Sequence, residues 1–170
     1  HFVRRRQRQM CIRDSLDSVG TPPEGVDCVA LPNQHASDLA KVLQWCKEHH
    51  PGAQVHVIGL DGGRLDHSMA VPAALIEAES DAVFHMNGGD LRRIPVGSLH
   101  NVPAEPDMII GLHPYGKVHV KRLEGVTWTL EDANLSSGTQ GVHNVSVGTE
   151  VQIHVASGDL ILSRSRHHLA

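Results

Sequence analysis

The chain has few aromatic residues, few cysteines and no long apolar run. These shortages limit the composition of its core and argue against a disulfide framework and a membrane-spanning helix. Aromatics make up only 3% of the 170 residues, so the core has to be built from Val, Leu, Ile and Ala within a hydrophobic content of 40%. The three cysteines form no CxxC pair, and an odd number argues against a disulfide framework. No apolar stretch is long enough to span a bilayer, and no signal-peptide pattern is visible. We therefore expect a cytoplasmic protein with no membrane partner.

An excess of positive charge is absent as well. Lys and Arg number 15 against 19 Asp and Glu, which gives a formal net charge of -4. This balance lacks the basic footprint of a nucleic-acid-binding protein, although a local positive cluster can still hold a small anion. The 14 histidines show no HxxxH or HExxH spacing, so we interpret them as solvated or core-edge residues and not as a metal site.

The first fifteen residues differ from the rest of the chain. They are dense in arginine, have no apolar period and contain the string QMCIRDS, which the mosaic-end adapter of transposon-based sequencing libraries encodes in one reading frame. We interpret residues 1–15 as a non-native, adapter-derived segment and expect native sequence to continue upstream of Leu16. The alternative is a basic arm that binds nucleic acid or a membrane.

Residues 16–80 follow the pattern of an α/β domain. Short apolar runs predict strands, and apolar residues at helical spacing predict helices. Pro72 should kink the second helix or mark its first turn. The predicted elements are a strand at Val26–Leu31, a helix at Ser37–His50, a strand at Gln54–Ile58 and a helix at Asp66–Ala78. This order is typical of a parallel sheet covered by helices.

The pattern changes after about Asp81, where short alternating runs are separated by Gly, Pro and Asn. These runs are Ala82–Met86, Met108–Leu112, Lys117–Leu123, Val151–Val155 and Leu160–Ser163. Several short strands with turn signals between them indicate an antiparallel sandwich or barrel. The predicted fold class is therefore α/β, with a partial parallel-sheet domain at residues 16–80 and an all-β sandwich domain at 81–170.

The sharpest local signal is the glycine-rich stretch from Gly59 to His67, which follows a predicted strand and opens a helix. Glycines let the backbone approach a ligand closely, and a helix N-terminus offers free amide donors to phosphate. Arg64 can contact phosphate oxygens in bidentate fashion, and Asp66 can accept from a cationic ligand. A tight turn with an exposed Arg–Asp pair explains the same residues equally well.

Two further groups of residues could carry chemistry. Asp17 and Asp38 could converge at one end of the parallel sheet and hold Mg²⁺, with Lys41 near a phosphate; each acid could instead be a cap or turn residue. Trp128 could stack on a heterocycle, close to the segment that ends at Asn144, or it could be an ordinary core residue.

Taken together, these segments resemble thiamine pyrophosphokinase. Leu16–Ser18 looks like the tail of the family's GDxDS motif, and Asn33–Lys41 is similar to its D/NQxxTDxxK motif with Ser in place of Thr. Gly59–His67 matches GxxGGRxDH completely. Gly125–Leu130 and Val142–Asn144 resemble the GxxW/YxL…SN stretch, with His143 where the family usually has Ser.

The resemblance implies an α/β catalytic domain, a β-sandwich thiamine-binding domain and a homodimer with active sites between subunits. It implies transfer of a pyrophosphoryl group from ATP to thiamine with Mg²⁺ as cofactor. By position in the motifs, the catalytic residues are Asp17, Asp38, Arg64 and Asp66, the first two as metal ligands. ATP would be bound by Gln34, Lys41, Gly62, Gly63 and Arg64, and thiamine by Asp66, Trp128 and Asn144.

Other readings remain open. The chain could be a non-catalytic small-ligand-binding protein with a degenerate α/β remnant, or an enzyme that pyrophosphorylates another alcohol. Because the resemblance places a leading Gly-Asp and earlier strands upstream of Leu16, we expect this 170-residue chain to be inactive and poorly stable by itself, and a longer parent to be active.

Overall fold

A computed structural model of the chain describes residues 10–13, 27–31 and 35–165. Its first two strands, β1 (Met10–Arg13) and β2 (Asp27–Ala30), form a parallel two-stranded sheet. Strand β2 confirms the prediction at Val26–Leu31. Strand β1 lies within residues 1–15, the segment that we interpreted as non-native, and in the structure it pairs with β2.

Helix α1 (Asp38–His49) and helix α2 (Leu65–Glu77) confirm both predicted helices. The Ser37 hydroxyl caps α1 by accepting from the Ala40 amide at 3.2 Å, as its sequence position suggested. Pro72 lies in the interior of α2 and not in its first turn. No helix among the described residues has the length and apolar character needed to cross a bilayer.

The remaining strands form one mixed sheet of eight. They are β3 (His56–Val57), β4 (Val83–Met86), β5 (Gly89–Ile94), β6 (Leu99–Pro103), β7 (Ile109–Glu124), β8 (Leu130–Ser136), β9 (Asn144–Val145) and β10 (Glu150–Ser165). The sheet order is β3-β4-β5-β10-β7-β8, while β6 pairs with β10 and β9 with β7. Only β3 and β4 run parallel in this sheet.

Four of the predicted short strands are segments of two long ones. Strands β7 and β10 are each 16 residues long and pair with one another along most of their length. The register shifts between His154 and Asp159, where a bulge lets the pair continue past the glycine that resembled a turn. That glycine, Gly158, has φ of 88°, and a side chain there would collide with the carbonyl of Lys117.

Strand β10 separates two apolar cores. Leu160 and Leu162 belong to a core built from the long strands, whereas Ile161 packs with Leu75 and Phe84 in the core beneath the helices. Successive residues of a strand point to opposite faces, so one strand serves both cores. The sheet is thus continuous across residue 80, and the division into two domains remains a prediction.

Candidate functional site

The glycine-rich loop lies between β3 and the start of α2. Gly59, Gly62 and Gly63 have φ of 77°, 85° and 79°, which only glycine adopts without strain. Nothing lies within 4 Å of the position a side chain would take at any of the three, so the loop faces open space. The loop therefore leaves its backbone accessible at the positive end of a helix, as a phosphate site requires.

Arg64 and Asp66 stand at the first turn of α2 and contact each other. The Arg64 guanidinium donates to both Asp66 carboxylate oxygens, at 3.1 Å and 2.6 Å. The hydrogen bond from Arg64 holds the pKa of Asp66 below its ordinary value. Both side chains are more than half exposed, so a ligand can reach either group and exchange the pair for its own contacts.

Asp38 and Lys41 occupy the first turn of α1. The Asp38 side chain is 65% exposed, whereas the Lys41 side chain is buried with its amino group 3.8 Å from the Asp38 carboxylate. A lysine held in this way stays close to the helix end and projects toward the same side as the acid. The exposed carboxylate is the group of the pair that remains accessible to a cation.

The two helices pack in one core on the same face of the sheet. Near their C-terminal ends, the Lys47 ammonium donates to the Glu79 carboxylate at 3.3 Å, just beyond the end of α2. That their N-termini, with Asp38 and Arg64, share an edge of the sheet remains a prediction.

Two predicted site residues, Asp17 and Gln34, lie outside the described residues. Among residues 10–13, 27–31 and 35–165, no three His, Cys, Asp or Glu side chains cluster closely enough to hold a metal ion. Mg²⁺ needs few protein carboxylates when phosphates and water complete its shell. Asp38 fits that requirement as one oxygen ligand, and a second ligand at Asp17 remains a prediction.

A separate cavity of about 340 Å³ surrounds Trp128. Its walls are mostly apolar, and Trp128 is 60% exposed, so the ring is available for stacking and is not a core residue. The lining is Leu112, Leu123, Trp128, Leu130, Leu135 and residues 140–144. An apolar cleft with a half-exposed indole can accept a flat heterocycle.

Asn144 fixes the backbone of Trp128. Its side-chain oxygen accepts from the amides of Trp128 and Val145 at 3.0 Å and 2.9 Å, and its side-chain nitrogen donates to the Trp128 carbonyl at 2.7 Å. Asn144 is buried, so these bonds are shielded from water. The neighbouring His143 is exposed with φ of 66°, and it belongs to the loop that borders the cavity.

Sequence reasoning missed Asp61, one of the variable positions inside the glycine motif. Its carboxylate accepts from the Asn87 amide at 3.0 Å and so joins the loop to the turn between β4 and β5. The only available signal was an acid in a glycine loop, because the partner lies 26 residues away.

Comparisons with known proteins show the fold. No family model and no curated protein sequence is significantly similar to the chain. Among solved structures, thiamine pyrophosphokinase from Bacillus subtilis aligns with a TM-score of 0.73 and 19% identity, over 92% of this chain and 78% of that one. A thiamin pyrophosphokinase family protein from Enterococcus faecalis aligns at 0.70 and 18%, over 85% and 71%. The yeast enzyme aligns at 0.56 and 17%, over 81% and 61%. The chain therefore has the fold of the thiamine pyrophosphokinases.

Proposed function

We propose that this protein transfers a pyrophosphoryl group from ATP to thiamine, giving thiamine diphosphate and AMP. The observation that carries the proposal is the complete GxxGGRxDH stretch, Gly59–His67, which forms an open loop at the start of α2 in a chain with this fold. The accessible amides, the exposed arginine and the helix N-terminus together suit a triphosphate.

The reaction joins the hydroxyl oxygen of thiamine to the β-phosphorus of ATP. The bond from that phosphorus to the oxygen bridging the α- and β-phosphates breaks, and AMP leaves with the electron pair. The hydroxyl proton is released. Such transfers depend on positioning and on charge stabilisation more than on covalent chemistry by the protein.

The phosphate side of the site is assigned to the two helix N-termini. Arg64 and the amides of Gly62 and Gly63 would bind phosphate oxygens, assisted by Lys41 and Gln34. Asp38 and Asp17 would hold Mg²⁺, which neutralises phosphate charge when bound. Within the described residues, the exposed Asp38 carboxylate supports this assignment.

The thiamine side is assigned to the Trp128 cavity. Trp128 would stack on the heterocycle, Asn144 would hold the indole in position, and Asp66 would accept from the amine of the ligand once released from Arg64. This exchange separates the Arg64–Asp66 pair, so that the arginine serves the phosphate and the acid serves thiamine. We further propose a homodimer, in which the loop of one protomer and the Trp128 cavity of its partner complete each site.

The proposal is tested by calorimetry with thiamine and with a non-hydrolysable ATP analogue, with and without Mg²⁺. The chain should bind both ligands, and the analogue only with Mg²⁺. Arg64→Gln should weaken the analogue at least tenfold without weakening thiamine, because it frees Asp66, while the exposed Arg122→Gln should change neither. AMP release is then measured on the chain and on a form extended at its amino end. A chain that binds thiamine but ignores the nucleotide would contradict the proposal.

The second candidate is a small-ligand-binding protein without catalysis. It is favoured by one observation, that the Trp128 cavity is lined entirely by residues 112–144 and needs nothing from the helices. Thiamine binding without Mg²⁺-dependent binding of the ATP analogue, together with no AMP release from the extended form, would support this candidate instead.

A further inference from the structure

The glycine loop has few anchors of its own. Strand β3, which leads into it, has two residues, and among the strands that the structure describes it pairs with β4 alone. Within the loop and the first turn of α2, the Ser68 hydroxyl donates to the carbonyls of Gly62 and Arg64 at 3.2 Å and 3.3 Å, which secures only the end nearest the helix. The Asn87 amide donates to the Asp61 carboxylate, so this hydrogen bond secures the middle of the loop and joins it to the turn between β4 and β5.

That turn is held by an ion pair to the last strand. Both Nε and Nη2 of Arg164 donate to one oxygen of Asp90, at 3.0 Å and 2.7 Å, and Nη1 of Arg164 donates to the carbonyl of Pro103. The two side chains are about 20% exposed, so the pair is screened less than a surface pair. Gly89 packs so closely that a side chain there would collide with the carbonyl of Arg164.

The second oxygen of Asp90 continues the connection to β3. It lies 2.6 Å from Nδ1 of His85, and since a carboxylate only accepts, this nitrogen carries the proton. The other nitrogen of His85 lies 2.7 Å from Nδ1 of His56, which belongs to β3, the strand that leads into the loop. Burial raises the pKa of Asp90, but the hydrogen bonds from Arg164 and His85 outweigh it and hold the pKa below its ordinary value.

We propose that Asp90 and Arg164 are positioning residues for the glycine loop. Arg164 in β10 holds Asp90, and Asp90 reaches the loop by two routes: through the β4–β5 turn to Asp61, and through His85 to His56 on β3. The C-terminal strand of the chain thereby sets the position of a loop that lies 100 residues earlier in sequence. The ligand part of this inference depends on the proposed function, whereas the loop part does not.

The loop part is tested by ¹⁵N relaxation on the full chain. Arg164→Gln and Asp90→Asn should each lower the amide order parameters of residues 59–63 from about 0.8 to about 0.6, while residues 117–123 of β7 stay unchanged as an internal reference. Arg164→Lys, which keeps the charge, should restore part of the rigidity. Arg122→Gln removes an exposed ion pair on β7 and should leave residues 59–63 as they are.

A uniform fall across the chain, or lower order parameters at residues 86–90 with residues 59–63 unchanged, would overturn the proposal. If the Arg164 and Asp90 variants do not fold, Asp61→Ala tests the same route, because it removes the bond to Asn87 and leaves the ion pair intact. It should lower the order parameters of residues 59–63 and speed hydrogen exchange at the Asn87 amide, which loses its acceptor, and unchanged values at both would refute the connection.

The ligand part is measured by calorimetry on the same variants. Loss of positioning should weaken a non-hydrolysable ATP analogue about tenfold and thiamine by less, since residues 112–144 line the Trp128 cavity and Asp66 is the one proposed thiamine contact beside the loop. An equal loss for both ligands would indicate a merely structural role. If the unsubstituted chain binds no analogue, the proposed function fails, and the relaxation experiment still decides the positioning role.

Discussion

Asn144 shows how a residue can be identified from sequence while its role is not. The motif resemblance marked Asn144 and Trp128 together as thiamine-binding residues. The structure places the Asn144 amide against the backbone of Trp128 on both its donor and its acceptor side. That contact depends on the bridge between Val126 and Ser146 and on the bond from the Thr127 amide to the Val145 carbonyl, which bring residues 16 apart in sequence together and leave no local pattern.

Asn144→Ala should therefore damage both stability and the Trp128 cavity. It leaves two backbone amides and one carbonyl without their partner, at a cost of about 1–3 kcal/mol in the free energy of unfolding. Urea unfolding measures the loss, and thiamine binding should weaken in parallel because the indole is no longer fixed. Asn134→Ala, at an exposed position on β8, is the matched control and should change neither quantity. Thiamine affinity equal to that of the unsubstituted chain would contradict this role.

At the scale of single elements, the helices were predictable and the long strands were not. The start of α1 followed from local chemistry, since a serine cap and an acid in the first turn act within one helical turn. Strands β7 and β10 were divided into short runs because Pro, Gly and Asp interrupt their apolar pattern. Each strand stays continuous through those residues because it is paired with the other, and the pairing residues lie about 40 positions apart in sequence.

The cap of α1 gives a prediction at this scale. Ser37→Ala removes the hydroxyl that accepts from the Ala40 amide, and it should lower the free energy of unfolding by about 1 kcal/mol. Ser37→Asp should retain the cap and most of the stability. Ser157→Ala, at an exposed site on β10, controls for loss of a hydroxyl by itself. Thermal or urea unfolding distinguishes them, and equal stability of the Ser37 and Ser157 alanine variants would count against the cap.

The bulge of β10 gives a second prediction. Gly158→Ala introduces a side chain at φ of 88° and against the Lys117 carbonyl, so it combines backbone strain with a collision. Gly97→Ala has the same kind of strain at φ of 94° but opens into free space. The Gly97 variant should lose about 1–2 kcal/mol in the free energy of unfolding, and the Gly158 variant should lose more. Equal losses would show that β7 and β10 separate at the bulge without cost.

Across the whole molecule, the fold class was predictable but the sheet was not. Strand–helix alternation in residues 16–80 and strand-rich sequence beyond it correctly indicated an α/β chain with a β-rich part. The pairing of β3 with β4 joins the two parts into one sheet. The pairing of β5 with β10 then links residues about 70 apart. The sequence pattern changes from strand–helix alternation to short strands near residue 80. Whether a hydrophobic core ends there is decided by long-range strand pairing, which the pattern does not show. The site depends on the same pairing, because Asp90 and Arg164 meet only through it.

The junction of the two cores also sets a pH dependence for the whole chain. His113 on β7 lies 2.8 Å from the Ser163 hydroxyl on β10, and burial lowers its pKa below the ordinary value of 6.5. In the unfolded chain the ring binds a proton below about pH 6.5, whereas the folded chain binds it only at lower pH. Between these two pKa values the unfolded state holds more protons at this ring, so the contribution of His113 to stability falls as the pH drops below about 6.5 and is constant above it.

His113→Gln should remove this contribution, because glutamine can still bond to Ser163 but does not titrate. Urea unfolding between about pH 7.5 and 5 should then show a shallower loss of stability on acidification than the unsubstituted chain. His50→Gln, at an exposed position after α1, is the control and should leave the slope as it was. If the His113 variant keeps the full slope, the acid sensitivity arises elsewhere, and the contact between β7 and β10 does not hold a neutral imidazole.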